Sequence, residues 1–132
     1  MAEGRMAEVR RVGPDQTRAG QPTPGMQRRE AVVSGEVWAG LVHTDVGATS
    51  GWHHHGSHES VLYVTAGALR VDFVTGDGVR TVQGGPGDFL HVPPYVVHRE
   101  GNPDPEPSAA VEFRSGAGEV VVNVAGPAAA AS

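Results

Sequence analysis

The sequence predicts an all-β fold, an antiparallel barrel or double-sheet jelly roll, on three observations. Valine occurs 21 times while isoleucine and lysine are absent, so residues suited to a pleated, half-buried surface carry the apolar content. Gly 19 and Pro 10 together make 29 of 132 residues, and they break everything after residue 30 into short segments with no room for long helices. Those segments are β-rich and recur at intervals of about eight to twelve residues, the spacing of a sandwich or barrel. The length fits one domain, at about 100–200 residues per domain.

Residues 1–29 hold six of the ten arginines together with Pro14, Pro22 and Pro24, and show neither strand nor helix periodicity. They are expected to form a partly ordered N-terminal arm. Within it, the stretch Gly25 to Val33 ends on Ala31-Val32-Val33 and suits pairing at a sheet edge, and residues near 25–34 are expected to add to a partner's sheet in a homodimer. Residues 30–125 are expected to form the barrel, with strand-like runs near 30–34, 36–44, 47–55, 59–65, 67–75, 79–83, 88–92, 96–99, 108–115 and 119–124. Leu69, Val71 and Phe73 alternate with Arg70 and Asp72, which predicts one buried face and one wet face. Thr75-Gly76-Asp77-Gly78 follows, a tight hairpin turn in which Asp-Gly accommodates positive φ. Residues 126–132 offer nothing to bury and are expected to be a disordered tail.

A net charge of -5 and a pI near 5.7 argue against nucleic acid, which requires basic residues gathered on one face. With no cysteine, thiolate chemistry, disulfides and sulfur-ligated metals are excluded, leaving histidine and carboxylates as the strong ligands. The first thirty residues carry no apolar signal-like core, and nowhere does an apolar run reach membrane-spanning length. The expectation is a cytoplasmic protein with no membrane partner.

Four of the seven histidines fall within six positions: His53, His54, His55 and His58, in GWHHHGSHES. On a strand, residues i and i+2 project to the same side, so His53 and His55 converge while His54 points away. Two imidazoles so placed can share one cation, with nitrogen at about 2.0–2.1 Å from zinc. The wider pattern is Gly47-x5-His53-x-His55, an acidic residue, a Val-Leu-Tyr-Val strand and Gly67. About thirty residues later comes Gly87-x5-Pro93-x-Tyr95-x2-His98-x3-Asn102, within GDFLHVPPYVVHREGN.

Together these resemble the two motifs of the cupin superfamily, here in a small single-barrel form, over roughly Val37 to Val124. The resemblance implies a double-stranded β-helix with a metal between the motifs, held by His53, His55 and His98. It also implies a glutamate in the first motif, and here the sequence departs from the pattern: the usual spacing before Gly67 lands on Ser60, with Glu59 one residue early. If Ser60, Leu62 and Val64 face the barrel, strand parity turns His58 inward and Glu59 outward, so His58 is favoured as the fourth ligand and Glu59 is second choice unless a bulge reverses the parity. Tyr95 stands where the family has a glycine. His43, His54, His91 and Arg99 read as surface or singly bonded groups, and Trp52 and Tyr63 as core or stacking residues.

The cofactor implied is a divalent transition metal, with zinc, iron, nickel, manganese and copper all open. The expected activity is that of a metalloenzyme on a small organic molecule, by dioxygenation, isomerisation or cyclisation. The alternative is a non-catalytic barrel that binds a small ligand or metal.

Overall fold

The computed structural model describes residues 7–21, 23–116 and 120–127. Among them, a 3-10 turn at Pro14–Gln16 precedes eleven strands: β1 (Arg18–Ala19), β2 (Met26–Val33), β3 (Val37–Thr44), β4 (His53–His54), β5 (Ser60–Ala66), β6 (Leu69–Thr75), β7 (Gly78–Gly84), β8 (Phe89–Val92), β9 (His98–Gly101), β10 (Ser108–Ser115) and β11 (Val122–Asn123). They form two antiparallel sheets, ordered β1-β2-β3-β10-β5-β8 and β11-β4-β9-β6-β7. This is the all-β double-sheet barrel that the valine-rich, turn-punctuated sequence predicts. No helix among the described residues is long and apolar enough to cross a membrane.

The sheet starts earlier than composition suggests. β2 begins at Met26 and pairs along β3 of its own chain from Met26↔Thr44 to Val33↔Trp38, with a bulge between Glu30 and Val32, and β1 pairs with β2 in turn. The stretch near 25–34, read as available to a partner, is thus taken up within the chain. Its inward alternation is Met26, Arg28 and Glu30, and the charged pair hides the pattern in a sequence reading; Met26 and Arg28 are buried. Residues 1–6 of the expected arm and 128–132 of the expected tail lie outside the described residues.

Period-two alternation sends Trp38, Gly40, Val42 and Thr44 of β3, Ser60, Leu62 and Val64 of β5, and Ser108, Ala110, Glu112 and Arg114 of β10 into the barrel. The interior divides along its length. Toward one end Leu62, Val64, Leu69, Val71, Leu90, Val92 and Ala110 form a dry cluster, where each fully buried Leu or Val contributes about 1.5–3 kcal/mol. Toward the other, the buried side chains are histidines, glutamates and arginines. Gly40 is required where they crowd: a Cβ there would lie 2.2 Å from the Arg29 carbonyl oxygen and 2.8 Å from the Trp38 ring.

The hairpin between β6 and β7 is present, with Thr75 opposite Gly78. The positive φ falls on Gly78, at 118°, and not on Asp77. Asp72 departs from the expected wet face. It is buried, accepting hydrogen bonds from Thr81 Oγ1 (2.7 Å), Arg99 Nε (2.8 Å) and Arg70 Nε (2.9 Å), while Arg99 in turn stacks 4.7 Å above the Trp52 ring. Burial alone would raise its pKa, but the Thr81, Arg99 and Arg70 hydrogen bonds hold it down to about 2. A depressed carboxyl stabilises the fold at pH values above its unfolded pKa of 3.8, and that contribution is lost as the pH falls from there toward 2. Asp72→Asn is therefore expected to cost about 1–2 kcal/mol at neutral pH, at the low end because both guanidiniums are half in water, and to flatten the acid limb of the stability curve. Urea unfolding at several pH values measures it, and an unchanged acid limb would remove Asp72 from the account.

Tyr95, at the position of the family's glycine, takes φ 63°, the one non-glycine in the left-handed region among the described residues. Its N–H donates to the Gly56 carbonyl at 2.8 Å and its ring is largely exposed. The left-handed conformation costs an L-residue about 1–2 kcal/mol, against about 0.5–1 kcal/mol of extra chain entropy for glycine. Tyr95→Gly is expected to leave stability unchanged or to raise it by up to about 1 kcal/mol, whereas Tyr95→Val, β-branched, should lower it by about 1 kcal/mol or more. The denaturant midpoints of the two variants should fall on opposite sides of, or bracket, the parent value.

Candidate metal centre

The two histidine-bearing strands meet directly: His53 of β4 lies opposite His98 of β9 across the ladder. His55 follows two residues after His53 on the same side, as parity predicts, and Glu100 follows two residues after His98 by the same rule. All four side chains are buried, His98 completely. The ring centroids of His53, His55 and His98 are 4.4–5.2 Å apart. One nitrogen from each and a Glu100 oxygen all lie within 4.8 Å of one another.

Each ring is pinned from behind by a backbone carbonyl. His53 Nδ1 lies 2.9 Å from the Gly51 oxygen, His55 Nδ1 2.8 Å from Val120 and His98 Nδ1 2.9 Å from Val96. A carbonyl can only accept, so each Nδ1 carries its proton; Nε2 of His53 and His55 presents a lone pair to the common centre, while His98 Nε2 faces the Glu100 carboxylate and must give up its proton to an arriving ion. Three imidazole nitrogens and one carboxylate oxygen, buried and oriented before any ion arrives, fit a divalent transition metal. They do not favour calcium or magnesium, which prefer oxygen.

The protonation preferences follow from burial and from Glu100. Burial pushes His53 below the ordinary imidazole value, and burial with the charge of Arg114 pushes His55 down to about 3. Both are neutral and ligand-competent across the physiological range. Burial would do the same to His98, but its Nε2 lies 3.2 Å from Glu100 Oε1, and that hydrogen bond and charge raise it instead. Glu100, which burial alone would raise, is held well below the usual carboxylate range by His98, Arg28 and His53. It is the charged member of the cluster.

His53, His55 and His98 come together as the spacing and the resemblance imply. His58 does not join them: between His55 and Ser60 the chain makes a turn in which the His58 N–H donates to the His55 carbonyl, so parity counted back from Ser60 does not carry through. The His58 ring instead packs against Gly116, where an added Cβ would meet its Nε2 at 2.6 Å. Glu59, the second choice, points out of the barrel to His91, 2.5 Å away. His54 faces away from its neighbours and accepts from the Gly56 N–H. His43 is exposed. Neither motif marks Glu100, although His98-x-Glu100 has the same i, i+2 spacing as His53-x-His55.

Three further buried groups surround the centre. Glu112 Oε2 accepts from Arg114 Nη2 at 2.7 Å, and Glu112 Oε1 lies 4.0 Å from Arg28 Nε. Burial and the nearby Glu100 charge raise the Glu112 pKa. On the side toward the apolar cluster, a cavity of about 240 Å³ reaches His98 and is walled by Val71, Phe73, Phe89, Val92 and Val96.

A short double-sheet barrel whose two central motifs bring three imidazoles and a carboxylate together inside one end defines a class of small barrels with a candidate metal site. The cupin-domain family profile matches residues 40–114, more than half of the chain, and the chain belongs to the cupin family. No curated protein sequence matches it. Among solved structures it is similar to KdgF from Halomonas sp. (TM-score 0.69, 23% identity, covering 83% of this chain and 94% of that one) and to an RmlC-like cupin from Shewanella frigidimarina (0.65, 24%, 83% and 93%). It also resembles a variant of Bacillus subtilis oxalate decarboxylase (0.67, 21%), covering 76% of this chain and 28% of that larger one. At these identities the likeness is one of fold.

Proposed function

We propose that this protein is a divalent-metal enzyme acting on a small organic molecule, with His53, His55, His98 and Glu100 holding the ion. The observation that carries this reading is the triple pinning of Nδ1 by backbone carbonyls, which turns three Nε2 atoms toward one point beside a buried carboxylate. A divalent ion bound there supplies Lewis acidity, and iron or manganese would add redox chemistry, which suits isomerisation or cyclisation on the one hand and dioxygenation on the other. Glu112 favours catalysis over mere binding. It is a buried carboxyl with a raised pKa next to the centre, so it takes and returns a proton nearer neutral pH than an ordinary glutamate. The apolar cavity ending on His98 gives a substrate a dry approach.

Elemental analysis of protein purified without chelator tests the reading. About one equivalent of zinc, iron, nickel, manganese or copper per chain is expected, lost together with the histidines. No bound metal, and no thermal stabilisation when these ions are added, would leave the non-catalytic ligand-binding barrel. Homodimerisation is part of the same reading. It is supported by the outer face of the larger sheet, where Val37, Leu41, Phe89 and Phe113 are exposed, a surface that a second copy would cover. Light scattering at micromolar concentration distinguishes dimer from monomer.

A further inference from the structure

Arg114 carries a buried donor that is unpaired among the described residues. The residue is 2% exposed. Its Nη2 donates to Glu112, its Nε lies 3.4 Å from Ser60 Oγ and its guanidinium sits 5.3 Å from the Trp38 ring centroid. Nη1, by contrast, has no hydrogen-bond partner among the described residues. Unpaired donors on buried cations are rare in folded proteins, and where one persists a visiting group commonly completes it.

The place for that group is adjacent. Arg114 lines a cavity of about 210 Å³ together with Arg28, Thr23, Gly51, Val121 and Asn123. Three of these lie close to the histidines in the chain or the sheet. The Gly51 carbonyl accepts from His53, Val121 follows the Val120 carbonyl that accepts from His55, and Asn123 pairs with His53 across the β4–β11 ladder. The cavity therefore opens beside the metal centre, on a different wall from the apolar cavity that ends at His98.

We propose that this cavity is the recognition pocket for a carboxylate on the substrate, with Arg114 and Arg28, which both line it, as the cations that bind it. The proposal rests on the metal-enzyme reading above and names the substrate class: a small organic acid whose remaining atoms reach the His53–His55 side of the centre. The two guanidiniums, one 2.7 Å and the other 4.0 Å from Glu112, give the pocket its preference for an anion. The volume lies below the roughly 300 Å³ at which pockets for drug-sized ligands begin, so the acid is small.

Titration of the zinc-loaded protein with glycolate, lactate and benzoate, each against its uncharged amide, followed by NMR of the arginine side-chain resonances, tests this. At least one of the acids should bind saturably and at least about tenfold more tightly than its amide. Arg114→Gln should weaken that binding by at least about tenfold, with Arg114→Lys recovering part of it. Should Arg114→Gln fail to fold, Arg28→Gln, on the same sheet, gives the same comparison, and the acid-against-amide contrast needs no variant. Equal binding of acids and amides, no saturable binding of any acid, or a folded Arg114→Gln that binds unchanged would overturn the proposal. Inorganic phosphate displacing the acids at lower concentration would also overturn it, in favour of a phosphate pocket. Repeating the titration without zinc separates the two readings. Acids that bind a chain unable to take up metal leave the pocket standing and the metal reading fallen, and stoichiometric metal with no acid binding does the reverse.

Discussion

Replacing His98 by alanine is expected to lower the affinity for zinc at least about hundredfold, because losing a group that merely orients a ligand already costs 10–100-fold and His98 is placed as a ligand itself. His55→Ala should behave alike. His54→Ala, on the opposite face, should leave affinity within about threefold of the parent. Glu100→Gln keeps the size of the side chain and removes its charge, and should cost at least about tenfold, or 1.4 kcal/mol. His58→Ala should change affinity by less than about threefold. Competition of each variant with a chromophoric chelator measures the series, and a larger loss for His58 than for Glu100 would move the fourth ligand to the turn before β5. The pH dependence has a definite sign. His53 and His55 are held neutral by burial, so protons compete with the ion chiefly at His98, whose pKa is raised. At limiting metal, occupancy should be full at alkaline pH, begin to fall above the ordinary histidine value of about 6.5 because the His98 pKa is raised, and be lost as the pH drops further. A flat profile from neutral to acidic pH would argue against histidine ligation.

Trp38→Ala should be the most destabilising single change in the core, costing about 3–5 kcal/mol and lowering the melting temperature by about 10–20 °C. Trp38 is completely buried, lies opposite both Val33 and Arg114 in the ladder, and donates its indole N–H to Glu30 Oε2 at 2.8 Å. Alanine would open a cavity among charged side chains, where the surroundings cannot close without unpairing Glu112 and Arg114. Trp38→Phe should cost less, since it keeps most of the volume and loses only the indole donor to a carboxylate that is partly hydrated. Denaturant unfolding of both variants decides this, and a loss below about 1 kcal/mol for the alanine would show that the indole does not support this end of the barrel.

Much of this was legible in the chain. Valine-rich segments between glycines and prolines announced short strands, and most of the predicted runs lie within a few residues of the observed ones. His53 and His55 were legible because two residues on a strand always share a face. Glu100 obeyed the same rule from His98 and was passed over for a carboxylate nearer the first motif. His58 shows the limit of parity: it holds along an unbroken strand, and the turn after His55 breaks the count. β2 was obscured for another reason. Its inward positions include Arg28 and Glu30, residues whose charge reads as surface until Glu112 and the Trp38 indole are seen to pair with them. Arg114 and Glu112 escaped for that reason as well. A barrel that keeps its ion pairs inside looks, along its strands, like one that keeps them outside.

The carbonyl behind His55 belongs to Val120, sixty-five positions along the chain, in the segment whose β11 pairs with β4. The ring's aim is thus set by a segment that follows both cupin motifs in the chain and pairs alongside His53. For any ion held at this centre, thermodynamic reciprocity then applies: docking of residues 120–124 strengthens its grip by the same factor by which the ion strengthens docking. The C-terminal strand acts as an adjustable clasp, through which changes of sequence far from the ligands can tune affinity without touching a single donor atom.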